Sequence, residues 1–161
     1  NGVENGTYLE AFKQEKGTKY MDAKQDIEAA IDYVAANSDK YIILWGSSYS
    51  ASLALMVGKN NSKVKAIVAF SPGEYFSKQE VVKSAVMGLN KPVFITAGKE
   101  EYKLTAEPII NVLPKPNVTS YQPTGASDHG AKTLWKSCNG HRDAYKALFD
   151  FLEATDEKNS P

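Results

Sequence analysis

Residues Tyr41-Ile42-Ile43-Leu44-Trp45-Gly46-Ser47-Ser48-Tyr49-Ser50-Ala51-Ser52 leave this chain few ways to fold. The apolar run predicts a strand over 41–45, and a small-x-Ser-x-small pentapeptide ends it. A helix then follows at once over 51–57. Gly46, Ser48 and Ser50 lie two residues apart. A chain that turns so sharply between strand and helix admits only small side chains two residues either side of the central serine. That is the spacing of a nucleophile elbow. The turn lifts the Ser48 hydroxyl clear of the sheet and leaves it at the amino end of the following helix. Free amide groups and the helix dipole there stabilise negative charge. The chemistry this suits is attack by an activated serine; the plain alternative is a helix-capping serine. Ser47 is a poor substitute as nucleophile, because Trp45 would then occupy a position that must be small.

The rest of the chain alternates between helical and extended patterns. A short helix is expected near Tyr8–Gln14. Asp22 opens a longer one, with Gln25 as capping-box partner and Ile27, Ile31 and Val34 on its inner face, ending near Asn37. Val64–Phe70 is a second strand, stopped by Ser71-Pro72-Gly73. Ser77 caps a third helix, with Glu80 three residues on and Val81, Val82, Ala85, Val86 and Leu89 inward. Pro92–Ala97 is a third strand closed by Gly98. Thr105–Leu113 is a shorter helix that tolerates Pro108 only in its first turn. Val118–Tyr121 is a brief fourth strand. Gly140–Ala154 is an amphipathic helix with Ala144, Ala147, Leu148, Phe151 and Leu152 inward. The first three strands are apolar on both faces, as in a parallel sheet covered by helices on each side. The expected fold class is a three-layer α/β/α sandwich with a mainly parallel sheet, and residues 1–161 read as one domain.

Composition removes several functions. Equal numbers of basic and acidic residues, 19 of each, give zero net charge and no electrostatic case for nucleic acid as partner. The apolar runs are too short to span a bilayer. Cys138 is the single cysteine, and the two histidines are not at ligand spacing, so neither a disulfide nor a metal cluster is expected. The loop 46–50 lacks the lysine of a phosphate-binding loop, and no G-x-G-x-x-G follows a strand; no cofactor is implied. Asn5, Asn60 and Asn117 open glycosylation triplets of a kind that arises by chance, and the compartment stays open. A start at Asn1 points to a processed or trimmed chain, or to a fragment.

An activated serine needs a base within hydrogen-bond reach and a carboxylate to orient that base. His129 sits in the small-residue loop Gly125-Ala126-Ser127-Asp128-His129-Gly130, after the last strand, where open α/β sheets gather their sites. His141 lies at the final helix and reads as a surface or cap residue. His129 is therefore the expected base. The acid belongs to the loop Gly98-Lys99-Glu100-Glu101 after the third strand, with Glu74, after the second strand, as a third candidate beside Glu100 and Glu101. Asp128 reads as loop-shaping, since sequence neighbours rarely face each other. Trp45, Tyr49, Tyr75, Phe76 and Tyr102 are aromatics that either line an acyl or aryl pocket or serve as ordinary core and rim residues.

The elbow Gly46–Ser50, the strand end Phe70-Ser71-Pro72, the acid loop Gly98–Glu101 and the loop Asp128-His129-Gly130 together resemble the C-terminal half of an α/β-hydrolase. The likeness is to the dienelactone-hydrolase-like and carboxylesterase branches. The resemblance covers about residues 22–152, and the order serine, acid, histidine is that family's. It implies Glu101 as the acid, three residues after the glycine that closes the strand, where Asp is commoner. It also implies the Tyr49 amide as one oxyanion donor. Ser50 departs from the usual second glycine. The implied activity is hydrolysis of a small-molecule carboxylic ester or lactone through an acyl-enzyme. The alternative is a non-catalytic binding domain of the same fold. In the family the elbow strand is central and the second oxyanion donor comes from a loop ahead of it. The resemblance therefore implies that the N-terminal strands lie in a missing segment or on a partner chain, or that the protein is a reduced variant without them, with Gly2, Gly6 and Gly17 as a candidate tail of that region.

Overall fold

The computed structural model describes residues 4–78 and 80–159. Four strands, β1 (Ile42–Ser47), β2 (Val64–Phe70), β3 (Val93–Thr96) and β4 (Val118–Tyr121), pair side by side in chain order, every pair parallel. Parallel neighbours need crossovers, and helices α3 (Tyr49–Asn60), α4 (Val81–Val86) and α5 (Tyr102–Ile110) supply them. Helices α1 (Gly6–Lys13) and α2 (Lys24–Asn37) precede the sheet, and α6 (His141–Asn159) follows it.

Side-chain alternation along β2 sorts the core into two layers. Ile67 and Ala69 face a cluster with Leu55 of α3, Val82 and Val86 of α4, and Ile109 of α5. Ala66, Val68 and Phe70 face the other way, with Phe94, against Leu148 and Phe151 of α6. All five of these β2 residues are fully buried, which is why the strand reads as apolar from Ala66 onward, after the exposed Lys65. The three-layer α/β/α expectation holds.

Strands β2 and β4 have the bounds that the sequence predicts. Strand β1 runs two residues further than expected, because Gly46 and Ser47 still pair with Ala69 and Phe70. Four local expectations are corrected. The Asp22 carboxylate accepts the Lys19 amide at 2.8 Å and closes a 3-10 turn, Tyr20–Ala23, so α2 begins only at Lys24. Of the three residues expected inward on α2, Ile31 is buried and Ile27 packs against the core, but Val34 is 45% exposed. Ser77 does not cap α4; the Glu74 carboxylate does, accepting the Val82 and Lys83 amides at 2.9 Å each. Helix α5 starts at Tyr102, whose amide already bonds to the Gly98 carbonyl at 2.9 Å. Pro108 therefore sits late in the helix and forgoes one ladder hydrogen bond. Of the early glycines, Gly6 opens α1 and Gly2 lies outside the described residues.

One row of the sheet positions everything that follows. Ser47, Phe70, Thr96 and Tyr121 stand in register across all four strands. The loops leaving this row carry Ser48, Ser71, Glu101 and His129.

Candidate active site

Ser48 is both the end of the β1 turn and the N-cap of α3, with φ 60° and ψ −134°. A non-glycine residue at positive φ is held there by its surroundings at about 1–3 kcal/mol. Three contacts hold it. The Ser48 amide donates to the Phe70 carbonyl at 2.8 Å. The Ser50 hydroxyl accepts the Ser47 amide at 3.0 Å and donates to the Ser47 carbonyl at 2.7 Å, closing the turn on itself. Gly46 completes the fit, since a Cβ there would collide with the Ser50 carbonyl. Ser50 in place of a glycine thus has a physical role. The Tyr49 amide is the first of α3 and has no carbonyl within the helix to pair with, so it is free to bind an anion above the turn.

The structure brings Ser48, His129 and Glu101 into one hydrogen-bonded row. Ser48 Oγ lies 2.9 Å from His129 Nε2, and His129 Nδ1 lies 2.7 Å from Glu101 Oε2. An ionised carboxylate only accepts, so Nδ1 carries the proton and Nε2 is left as the acceptor for the Ser48 hydroxyl. Burial alone pushes the Glu101 carboxyl up. Hydrogen bonds from Ser71, His129 and the Gly98 amide, with attraction to His129, outweigh it and hold the group below its ordinary value. Glu100, one residue earlier, is exposed, and Glu74 is spent on α4. His141 begins α6 and bonds through Nδ1 to the Cys138 carbonyl at 2.7 Å.

The sequence reading missed what fixes this row in place. Ser71 is fully buried at φ 52°. Its hydroxyl donates to Glu101 Oε1 at 2.5 Å and accepts the Gly130 amide at 2.7 Å. One side chain therefore ties the acid to the histidine loop. Ser47 adds a second tie, accepting the Ala131 amide at 3.0 Å. Gly130 must lack a side chain, because its φ is 65° and a Cβ would run into Ser47 Oγ. The signal in the sequence was a polar residue and a proline at the carboxyl end of an otherwise apolar strand, Phe70-Ser71-Pro72.

Of the aromatics, Tyr49 stacks on Tyr20 at 4.2 Å between ring centroids, and Trp45 stacks on Phe70 at 5.4 Å while remaining 45% exposed. Tyr102 is buried in the core. Phe76 packs against the α3–α5 layer.

Comparison with solved structures gives the same architecture. The chain superposes on the Pyrococcus furiosus esterase Pf2001 with a TM-score of 0.63 and 19% identity, over 86% of this chain and 64% of that one. The esterase domain of a Rhodothermus marinus protein matches with a TM-score of 0.58 and 16% identity, over 83% and 68%. A Klebsiella pneumoniae protein assigned to the dienelactone hydrolases matches with a TM-score of 0.62 and 17% identity, over 83% and 61%. No family model and no curated protein sequence matches the chain. The likeness is one of fold, and the chain spans less than two thirds of the length of Pf2001. No helix among the described residues is long and apolar enough to cross a membrane.

Proposed function

From the premise that this chain has the α/β-hydrolase fold, we propose that it is the elbow-bearing part of a serine esterase that cleaves a small carboxylic ester or lactone. The observation that carries the reading is the continuous row Ser48–His129–Glu101, with Ser48 held at positive φ over a free helix amide.

His129 Nε2 removes the hydroxyl proton as Ser48 Oγ attacks the ester carbonyl. The carbonyl π electrons move onto its oxygen, and the Tyr49 amide donates to that oxyanion. Collapse breaks the bond to the alcohol oxygen, which takes the proton from the His129 imidazolium and leaves an acyl-enzyme. Water then repeats the sequence, with His129 again as base and then acid. Glu101 keeps Nδ1 protonated and stabilises the imidazolium without taking its proton.

The second oxyanion donor belongs, on this reading, to structure placed against the outer edge of β1, from a further segment or a partner chain. That edge is unpaired among the described residues, and an apolar strand left open there invites association. The greater length of the esterase neighbours supports the same view.

The direct test is labelling with a fluorophosphonate probe, followed by mass mapping of the modified peptide. Modification at Ser48, lost in His129→Ala, is the expected result. A folded chain that takes no label means that the site is incomplete without the structure beyond β1, or that the fold serves binding alone.

A further inference from the structure

We infer that the stacked rings of Tyr20 and Tyr49 form the acyl-group site beside Ser48, and that the preferred ester carries a flat, aromatic acyl group. The inference rests on the reading of Ser48 as nucleophile and deepens it, naming the part of the substrate that is selected.

Tyr49 follows Ser48 directly, so its side chain leaves the backbone one residue from the reacting oxygen. Its partner comes from a distant part of the chain. Tyr20 opens the 3-10 turn Tyr20–Ala23 ahead of α2, and that turn is fixed from within. The Asp22 amide donates to the Lys19 carbonyl at 2.9 Å, and the Asp22 carboxylate accepts the Lys19 amide at 2.8 Å. Gly17 passes so close that a Cβ there would collide with the same carboxylate. The turn packs against α3, and the two rings meet at 4.2 Å between centroids with planes 10° apart.

Neither ring is spent on the core. Both lie outside the two apolar clusters; Tyr49 is half-buried and Tyr20 is 56% exposed. A pair of tyrosine rings offers broad, flat apolar area with few rotatable bonds to freeze, so it receives a flat group at little entropic cost. Tyr75, by contrast, is committed elsewhere, its hydroxyl donating to the Ser71 carbonyl at 2.8 Å.

The direction of the catalytic row decides which part of the ester reaches the pair. The tetrahedral carbon formed at Ser48 holds Oγ, the oxyanion, the alcohol oxygen and the acyl chain. The oxyanion takes the Tyr49 amide. The alcohol oxygen must lie by His129 Nε2, which gives it a proton as it leaves. From Ser48 the row runs through His129 to Glu101, towards the β3 end of the sheet. The Tyr20 turn and α2 lie at the β1 end, against α3 and β1. The acyl chain is left with the side away from His129, which is the side of the rings. An acetyl group offers a single methyl there, and a benzoyl group offers a ring.

The test holds the leaving group constant. For p-nitrophenyl benzoate against p-nitrophenyl acetate, the ratio of kcat/KM should fall about fivefold in Tyr20→Ala, the scale of one aromatic pair. Tyr20→Leu, which fills the space without a flat ring, should fall likewise, and Tyr20→Phe keeps the stack and should keep the ratio. Ser48 in each variant should still take a small fluorophosphonate, which separates lost selection from a lost nucleophile. If both esters slow together, Tyr20 is a structural brace and the inference is overturned. A loss seen instead among acetates, phenyl acetate against ethyl acetate, assigns the pair to the leaving alcohol and overturns it too. An equal loss on p-nitrophenyl cyclohexanecarboxylate, as bulky but not flat, overturns the aromatic class. If the unmodified chain neither takes the label nor cleaves either ester, the reading of Ser48 falls and carries the acyl site with it. A labelled chain whose ratio is the same in all three variants removes the acyl site alone.

Discussion

Phe70 and Ser71 are neighbours in the chain and both are fully buried, yet they belong to regions held together in different ways. Phe70 sits in a run of rings, 5.9 Å from Phe94 between centroids, with Phe94 5.8 Å from Phe151. Nothing there depends on a donor or an angle, and the stability comes from apolar area removed from water. Ser71, one residue later, holds Glu101 and Gly130 through one oxygen and sits at positive φ, as does Ser48 beside it. The polar row carries strain of about 1–3 kcal/mol at each such residue. Burial of rings of this size contributes about 3–5 kcal/mol apiece, judged by truncation. The apolar layer below the shared row of the sheet therefore stabilises the geometry above it, and the two should respond differently to substitution.

The largest separation is expected from Ser48→Ala. Hydrolysis of short p-nitrophenyl esters should fall by about 10⁶-fold, the scale seen when a triad nucleophile is removed. The thermal midpoint should stay within a degree or two, because Ser48 Oγ contributes to the site and not to the core. Surviving activity assigns the chemistry elsewhere. Phe94→Ala is the opposite case. It should lose about 3–5 kcal/mol in urea unfolding, while fluorophosphonate labelling per folded molecule is unchanged. If labelling drops well below the folded fraction, the two regions are not separable.

Ser71→Ala lies between them. It removes a donor from Glu101 and leaves the buried Gly130 amide without its acceptor, which costs about 1–3 kcal/mol. It should also lower kcat by loosening His129, and Ser71→Thr should restore part of both where the hydroxyl is kept. A loss of stability with full activity would make Ser71 a core residue only.

The same division decides what could be read in the sequence. The apolar layer is visible in pattern, since β2 is apolar apart from the exposed Lys65 and its bounds, Val64–Phe70, are those read from the sequence. Ser48 and His129, singled out in sequence by elbow spacing and loop composition, stand in one hydrogen-bonded row with Glu101, which the family resemblance implied among three candidate acids. What did not show is every contact made across the sheet. Ser71 joins residues 30 and 59 positions away, and no local pattern encodes such a reach. Glu74 caps α4 from eight residues upstream, so the nearer Ser77 looked like the cap. Helix α5 begins early because the Gly98 turn already supplies its first carbonyl, a tertiary cause that overrode the proline rule.

The smallest expected effect concerns the ionisation of Glu101. Its folded value is held below the ordinary glutamate value of 4.5, with burial opposing and the three hydrogen bonds prevailing. The stability this contributes is fully present above the ordinary value and is lost as pH falls through the folded one. Glu101→Gln keeps the shape and cannot ionise. The part of the gap in urea midpoint between the unmodified chain and this variant that comes from the Glu101 carboxylate should therefore be fully present above the ordinary value. It should then close progressively at lower pH, where the carboxylate is protonated and the two chains become alike. The change should be modest, because the Glu101 side chain is 26% exposed and water screens it. Other carboxylates titrate equally in both chains and cancel. A gap that stays constant below pH 4.5 would mean that the bonds from Ser71, His129 and Gly98 do not favour the ionised form, and would unfasten the polar row from the carboxylate on which its geometry converges.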